Sequence, residues 1–138
     1  MGAKAKVLVV DDESFLVDLA VAFLHDLGYQ TFTASDAKQA QDGLKANPGI
    51  DLLFSDVVMP GEMDGYGLAL AAGQLHPSLR VLLTSGFAKT SEEHMNGDNE
   101  GVARLAANLL SKPYTLIELA TAVRRTLDES DQGATAQS

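Results

Sequence analysis

The chain has 138 residues, a length that fits one domain, and 46% of them are hydrophobic, which is enough to bury a core. Its 19 acidic residues outnumber ten basic ones and give a formal net charge of −9, whereas nucleic-acid-binding domains usually carry a basic patch. Cysteine is absent, which excludes a disulfide framework and a thiolate metal site. No signal-peptide core and no membrane-spanning run is present, so we expect a cytoplasmic domain that contacts neither nucleic acid nor membrane.

Short apolar runs alternate with helical stretches along the whole chain, a pattern typical of an α/β protein with a parallel sheet. The predicted strands span residues 6–10, 29–34, 51–55, 79–84 and 108–111. The predicted helices span residues 14–27, 36–46, 65–75 and 102–107, and a fifth follows Thr115. Residues 89–101 are polar and contain glycine, which predicts a loop. The order is (βα)5, with right-handed crossovers that cover both faces of the sheet.

The apolar residues of the helices predict which side of each helix faces the sheet. The first helix has an apolar stripe at helical spacing, formed by Phe15, Leu16, Leu19, Ala20, Phe23, Leu24 and Leu27. The third helix is expected to turn Leu68, Ala71, Ala72 and Leu75 inward.

The last helix has the clearest start in the sequence. Thr115 and Glu118 have the spacing of a capping box, and Tyr114 with Leu119 would form a hydrophobic staple. After Glu129 the chain is rich in Ser, Asp, Gln, Gly and Ala. We therefore expect one domain over residues 1–129 and a disordered tail over residues 130–138.

Polar residues follow several of the predicted strands at the points where those strands end. Asp11 and Asp12 follow the first strand, Asp56 the third, and Lys112 the fifth, while Thr84 ends the fourth. The carboxyl ends of parallel strands lie along one edge of a sheet, where ligands bind. Three carboxylates, a hydroxyl and an ammonium brought together there would suit a divalent metal and a phosphoryl group.

The motifs that carry these residues resemble the receiver (response-regulator) domain of two-component signalling. They are Val9-Val10-Asp11-Asp12-Glu13, Asp56-Val57-Val58-Met59-Pro60 with Asp64-Gly65, Leu83-Thr84-Ser85-Gly86 and Lys112-Pro113-Tyr114. Each motif is weak by itself, but their order and their positions at strand ends make the resemblance specific over residues 5–128. The last two motifs are similar to those of receivers attached to hybrid sensor histidine kinases.

The resemblance implies a flavodoxin-like fold with strand order 2-1-3-4-5, and a role in a histidine-to-aspartate phosphorelay. Asp56 matches the phosphoacceptor, and a carboxylate can act as the nucleophile that becomes an aspartyl phosphate. The implied partner is a sensor histidine kinase or a histidine phosphotransfer protein. The implied cofactor is Mg²⁺, with Mn²⁺ as a substitute.

The resemblance also assigns roles to the residues around Asp56. Asp11 and Asp12 match the acid pair that holds the metal, with Asp12 the direct ligand and Asp11 acting through water. One of the pair would also serve as the cap of the first helix. Asp56 and the backbone carbonyl of Val58 match the other metal ligands.

Other positions match residues that contact the phosphoryl group or shape the site. Thr84 and Lys112 match the phosphate-contacting hydroxyl and ammonium. Pro113, Gly65 and Pro60 match structural positions around the site, and the peptide bond before Pro113 is expected to be cis.

Partner docking and output are less specified by the sequence. Phe15, Leu16, Leu19 and Tyr114 are candidates for kinase docking, and core packing is the competing interpretation for each of them. Leu109 occupies the position where many receivers have an aromatic switch residue. We therefore predict that phosphorylation is read out by residues 86–101.

Two other functions fit parts of the pattern. A metal-dependent phosphohydrolase of the haloacid-dehalogenase type would need an Asp-x-Asp motif after the first strand, where this chain has Asp11-Asp12-Glu13. A receiver-like interaction module that is never phosphorylated would not need the intact acid set. We expect a signalling domain rather than an enzyme, present as a monomer or weak homodimer.

Overall fold

A computed structural model describes residues 5–58, 63–85 and 109–137, with side chains through residue 128. The strands are β1 (Lys6–Val10), β2 (Gln30–Ala34), β3 (Leu52–Asp56), β4 (Arg80–Ser85) and β5 (Leu110–Ser111). The helices are α1 (Ser14–Asp26), α2 (Ala37–Ala46), α3 (Gly65–Leu75) and α4 (Leu116–Gln137). The predicted boundaries of these elements agree within two residues up to the start of α4. The predicted loop at residues 89–101 and the helix at residues 102–107 lie outside the described residues.

The strands form one parallel sheet in the order β2-β1-β3-β4-β5, as the flavodoxin-like prediction requires. The central strand β3 is buried along its whole length, because neighbours cover it on both edges and helices cover both faces. The two edge strands are more exposed, and β5 has only two residues. The carboxyl ends of β1, β3, β4 and β5 consequently lie next to one another.

Successive residues of β1 point to opposite faces of the sheet and enter two separate cores. Leu8 and Val10 pack into a cluster with residues of α2 and α3. Val7 and Val9 pack into a second cluster with residues of α1 and α4. This alternation follows from the two-residue period of a strand, and each face of the sheet packs against two of the helices that the structure describes.

Two predicted helix faces are partly wrong. Phe15 and Leu27 in and after α1 are 73% and 37% exposed, and Leu75 at the end of α3 is 48% exposed. The buried residues of α1 are Ala20 and Leu24, with Val17 and Val21 packed beside them. Because α1 is apolar around most of its circumference, spacing alone did not fix the side that faces the sheet.

The start of α4 confirms the predicted capping box. Thr115 N donates to a Glu118 carboxylate oxygen at 2.9 Å, and Glu118 N donates to the Thr115 hydroxyl oxygen at 3.1 Å. Tyr114 packs against the apolar cluster that contains Leu119, which agrees with the predicted staple.

The end of α4 differs from the sequence prediction. The backbone is helical through Gln137, whereas a disordered tail was predicted from residue 130. Extending an existing helix avoids the cost of nucleation, and the segment contains no proline to end it. The domain boundary at residue 129 stays a prediction. No helix within the described ranges, α4 included, is both long and apolar enough to cross a membrane.

Candidate functional site

The sheet register brings the predicted site residues to one edge. Asp11 follows β1, and Asp56 is the last residue of β3, beside Thr84 of β4 in the strand register. Thr84 in turn lies beside Leu110 of β5, two residues before Lys112. The side chains predicted to act together therefore come from four adjacent strands.

Three carboxylates form a compact acidic cluster. One oxygen from each of Asp11, Asp12 and Asp56 lies within 4.8 Å of the other two, a spacing suited to one cation. Asp11 and Asp56 are buried, with 6% and 7% exposure, whereas Asp12 is open to solvent. Asp11 also accepts a hydrogen bond from Glu13 N at 3.0 Å, which fixes the turn before α1.

Lys112 supplies the positive charge of the site. Its Nζ lies 3.0 Å from Asp11 Oδ2 and 3.4 Å from Asp56 Oδ2. The lysine side chain is 18% exposed, so both ion pairs are largely shielded from water. A single ammonium therefore balances only part of the charge of three neighbouring carboxylates.

Two opposing effects set the pKa values of Asp56 and Lys112: burial disfavours the charged form of each group, and the ion pairs between them favour it. Burial raises the pKa of Asp56 and the charge of Asp11 adds to the rise, while Lys112 opposes it. Burial acts to lower the pKa of Lys112. The hydrogen bond to Asp11 and the charge of Asp56 outweigh this effect, and the pKa of Lys112 is therefore raised. Burial and the two carboxylates together raise the pKa of Tyr114 to about 12. The site thus holds more negative charge than its own lysine relieves, which fits an added cation.

The backbone after Asp56 is fixed from two sides. Val57 N donates to the Thr84 carbonyl at 2.9 Å, and Gly65 N donates to the Val57 carbonyl at 2.8 Å. A Cβ at Gly65 would lie 2.3 Å from the Asp56 carbonyl oxygen, so only glycine lets α3 begin this close to β3. The backbone N–H of Val58 hydrogen-bonds the Asp56 carboxylate.

Pro60 lies outside the described residues, and the Val58 carbonyl stays a predicted metal ligand.

The hydroxyl of Thr84 does not bond Asp56 in this structure. It donates instead to the Leu110 carbonyl at 2.7 Å, across the β4–β5 boundary. Thr84 is 3% exposed, so its hydroxyl lies close to Asp56 but is engaged elsewhere. Its predicted contact with a phosphoryl group would require this bond to break.

Sequence reasoning missed a supporting residue directly before Asp56, the predicted acceptor. Ser55 is fully buried, and its hydroxyl donates to the Asp56 carbonyl at 2.9 Å. The available signal was a serine that follows the apolar run at residues 52–54 inside β3, because buried polar groups need a hydrogen-bond partner.

The predicted docking residues have different environments. Phe15, in the first turn of α1, is strongly exposed, which excludes core packing for this residue, while Leu16 and Leu19 are half-buried. Tyr114 is half-buried and packs edge-on against Phe54, with ring centroids 5.9 Å apart. The bond between Lys112 and Pro113 is cis, as the receiver resemblance implied.

A groove of about 280 Å³ opens beside the acidic cluster. It lies between the start of α1 and the end of β2, and its lining includes Asp11, Asp12, Ser14, Asp18, Thr33 and Gln39. The groove gives solvent and small ions a path to the exposed side of the cluster.

Comparison with known proteins gives the same family as the motifs. Residues 7–124 match the family model of the response regulator receiver domain. The response regulator receiver protein CpdR of Brucella abortus is 31% identical over 122 residues, which cover 88% of this chain and 96% of that protein. The sensor kinase CckA of the same organism is 31% identical over 133 residues, but this chain spans 13% of its length.

A crystal structure supports the relationship at the level of the backbone. The response regulator receiver protein of Sinorhizobium medicae superposes with a TM-score of 0.76 at 28% identity, covering 92% of this chain and 97% of that one. The chain therefore belongs to the response regulator receiver domain family.

Proposed function

We propose that this chain is a phosphorelay receiver in which Asp56 accepts a phosphoryl group from a phosphohistidine. The donor would be a sensor histidine kinase or a histidine phosphotransfer protein. The observation that carries the proposal is that the buried Asp56 carboxylate contacts Lys112 and lies within 4.8 Å of carboxylate oxygens of Asp11 and Asp12. Proteins of this family act in two-component signalling, and CckA, which contains a similar segment, is a sensor kinase.

The transfer forms one bond and breaks one. A carboxylate oxygen of Asp56 attacks phosphorus, the bond from phosphorus to the imidazole nitrogen breaks, and its electron pair stays on the imidazole. The product is an acyl phosphate on Asp56. Lys112 already contacts Asp56 and is placed to offset charge on the phosphoryl oxygens, and charge neutralisation is the main need of phosphoryl transfer.

The residues present also fit a divalent metal. The cluster offers oxygen ligands alone, and Mg²⁺ prefers a few carboxylates plus waters and phosphate oxygens. Asp12, Asp56 and the Val58 carbonyl would hold Mg²⁺ or Mn²⁺ directly, and Asp11 would act through water. When bound, the metal would neutralise charge on the transferring phosphoryl group.

In this proposal the chain is a signalling domain that assists its own phosphorylation and dephosphorylation, not an enzyme acting on a separate substrate. The phosphohydrolase alternative needs an Asp-x-Asp motif after β1, where this chain has Asp11-Asp12-Glu13. The alternative of an interaction module that is never phosphorylated would not need the acidic cluster that this chain retains.

Incubation with acetyl phosphate and Mg²⁺ tests the proposal. We expect one phosphoryl group per chain in the parent, none in Asp56→Asn, and strongly reduced incorporation in Asp12→Asn. Asp42→Asn, which changes an exposed carboxylate on α2, is the matched control and should be phosphorylated normally. Phosphorylation of Asp56→Asn at the parental rate would refute the assignment. A parent that is never phosphorylated would favour the interaction module.

A further inference from the structure

The peptide group between Asp56 and Val57 is held by hydrogen bonds at both of its polar atoms. Its N–H, which belongs to Val57, donates to the Thr84 carbonyl at 2.9 Å. Its carbonyl, which belongs to Asp56, accepts from the Ser55 hydroxyl at 2.9 Å. The register of β3 with β1 ends at the pair Val10 and Ser55, one residue before Asp56. The Ser55 hydroxyl therefore holds the Asp56 carbonyl at the point where pairing with β1 stops.

The surroundings of this hydrogen bond are tightly packed. Ser55 is fully buried, and the start of α3 approaches so closely that a Cβ at Gly65 would lie 2.3 Å from the same Asp56 carbonyl oxygen. A buried carbonyl that loses a donor costs free energy, and rotation of its peptide group toward another donor reduces that cost. Removal of the Ser55 hydroxyl should thus favour a rotated peptide group after Asp56.

Rotation of this peptide group would move the Asp56 carboxylate relative to its own support. The group turns about the bond between Cα and the carbonyl carbon of Asp56, one of the two soft backbone torsions of that residue. This torsion sets where Val58 lies relative to the Asp56 side chain, and the Val58 N–H hydrogen-bonds the Asp56 carboxylate. The direction of the carboxylate oxygens therefore depends on an angle that the Ser55 hydroxyl helps to fix.

We propose that Ser55 is a positioning residue for the phosphoryl transfer, whose hydroxyl fixes the peptide group after Asp56 and thereby directs the Asp56 carboxylate toward phosphorus. The proposal rests on the proposed function, because this orientation matters for transfer only if Asp56 is the nucleophile. Successive side chains of a strand point to opposite faces, so Ser55 acts through the backbone and not on the reacting atoms. The rate of attack depends steeply on the geometry of the nucleophile.

This role concerns how the proposed acceptor is held before transfer. It is separate from the prediction that residues 86–101 read out the signal, since that segment lies outside the described residues.

Two pairs of variants test the role of the hydroxyl. The parent with Ser55→Ala is one pair, and Ser55→Thr with Ser55→Val is the other; the members of each pair have similar shapes and differ in the hydroxyl. With acetyl phosphate and saturating Mg²⁺, the rate of phosphorylation should be about tenfold lower in the member without the hydroxyl, the effect of about one hydrogen bond. The second comparison cancels any strain from the added methyl group, and either pair decides the question if a member of the other fails to fold.

The Val58 amide provides a readout that does not depend on activity. Its proton NMR shift reports the hydrogen bond to the Asp56 carboxylate, and without phosphodonor or metal it should move upfield in Ser55→Ala relative to the parent and in Ser55→Val relative to Ser55→Thr. Thr126→Val is the matched control, because it removes a 2.7 Å bond from a hydroxyl to the Ala122 carbonyl within α4. This control should keep the parental rate and the parental Val58 shift.

Equal rates within both pairs would overturn the positioning role and leave the proposed function intact, because the parent would still be phosphorylated. A lower rate with an unmoved Val58 shift would also overturn it, since the loss would then not act through the backbone contact. Absence of phosphorylation in the parent would overturn the proposed function and, with it, the role of Ser55.

Discussion

The strands β3 and β5 lie two positions apart in one sheet, yet they are held very differently. All five residues of β3 are buried, and the backbone directly after it is bonded on one side to β4 and on the other to α3. The two residues of β5 are not buried, and a side-chain bond from Thr84 supplements their pairing. β3 carries Asp56, the proposed acceptor, whereas β5 leads into Lys112, the cation that contacts it.

This difference indicates how the site can be both rigid and responsive. A nucleophile has to be held in a productive geometry, and fixed surroundings provide that. A signalling domain also needs a segment that can change conformation, and segments with few buried contacts open at a low free energy. The predictions below test each side of this contrast, beginning with the largest expected effect.

The contact between α3 and β3 should be the least tolerant of change. Gly65→Ala places a methyl group 2.3 Å from the Asp56 carbonyl oxygen, so α3 must shift. We expect a loss of about 3 kcal/mol in the free energy of unfolding, at the upper end of overpacking effects. Chemical denaturation measures it.

Gly73→Ala is the matched control on the same helix. A Cβ there meets nothing within 4 Å, so the substitution should stabilise the protein by about 0.5–1 kcal/mol through helix propensity. Equal effects of the two substitutions would show that α3 does not constrain β3.

Lys112 should oppose metal binding as well as stabilise the metal-free site. Lys112→Met leaves the buried Asp11 and Asp56 without their counter-charge, which we expect to cost about 2 kcal/mol in metal-free buffer. Added Mg²⁺ should then raise the melting temperature more than it does in the parent, because the cation relieves a larger repulsion.

Lys38→Met, at a lysine whose side chain is 85% exposed, controls for the lost charge and should respond to Mg²⁺ as the parent does. A smaller Mg²⁺ response in Lys112→Met than in the parent would contradict this account of the site.

The raised pKa of Asp56 predicts a smaller, pH-dependent effect on stability. The folded state holds the Asp56 proton more tightly than the unfolded chain, whose pKa is near 3.8. The free energy of unfolding should therefore fall as the pH rises from that value through the folded pKa. In metal-free buffer Asp56→Asn should melt above the parent at neutral pH, and this advantage should shrink as the pH approaches 4.

Thermal melts across that pH range, with Asp42→Asn as the control, measure the effect. An advantage that grows on acidification would mean that the pKa of Asp56 is lowered rather than raised.

Much of the fold and of the site could be predicted because local signals and topology agree. Asp11, Asp56 and Lys112 follow apolar runs, and parallel pairing alone brings strand ends together. The capping box at Thr115 is equally local, because both partners lie within one turn.

The parts that failed depend on contacts distant in sequence. The exposure of Phe15 and Leu75 is set by how each helix rotates onto the sheet, which an apolar sequence leaves open. The sequence also did not predict the bond from the Thr84 hydroxyl to the carbonyl of Leu110, which lies 26 residues away, while the contact of Thr84 with a phosphoryl group stays a prediction. No short-range pattern in the sequence specifies that choice of partner.

Locating the phosphoryl group tests the central claim most directly. After reaction with acetyl phosphate and Mg²⁺, borohydride reduces an aspartyl phosphate to homoserine, and peptide mass spectrometry identifies the altered position. We predict a single altered residue, Asp56, in the parent, and none in Asp56→Asn treated in the same way. Homoserine at Asp11 or Asp12 with an unaltered Asp56 would contradict the account, because the nucleophile would then follow β1 instead of β3.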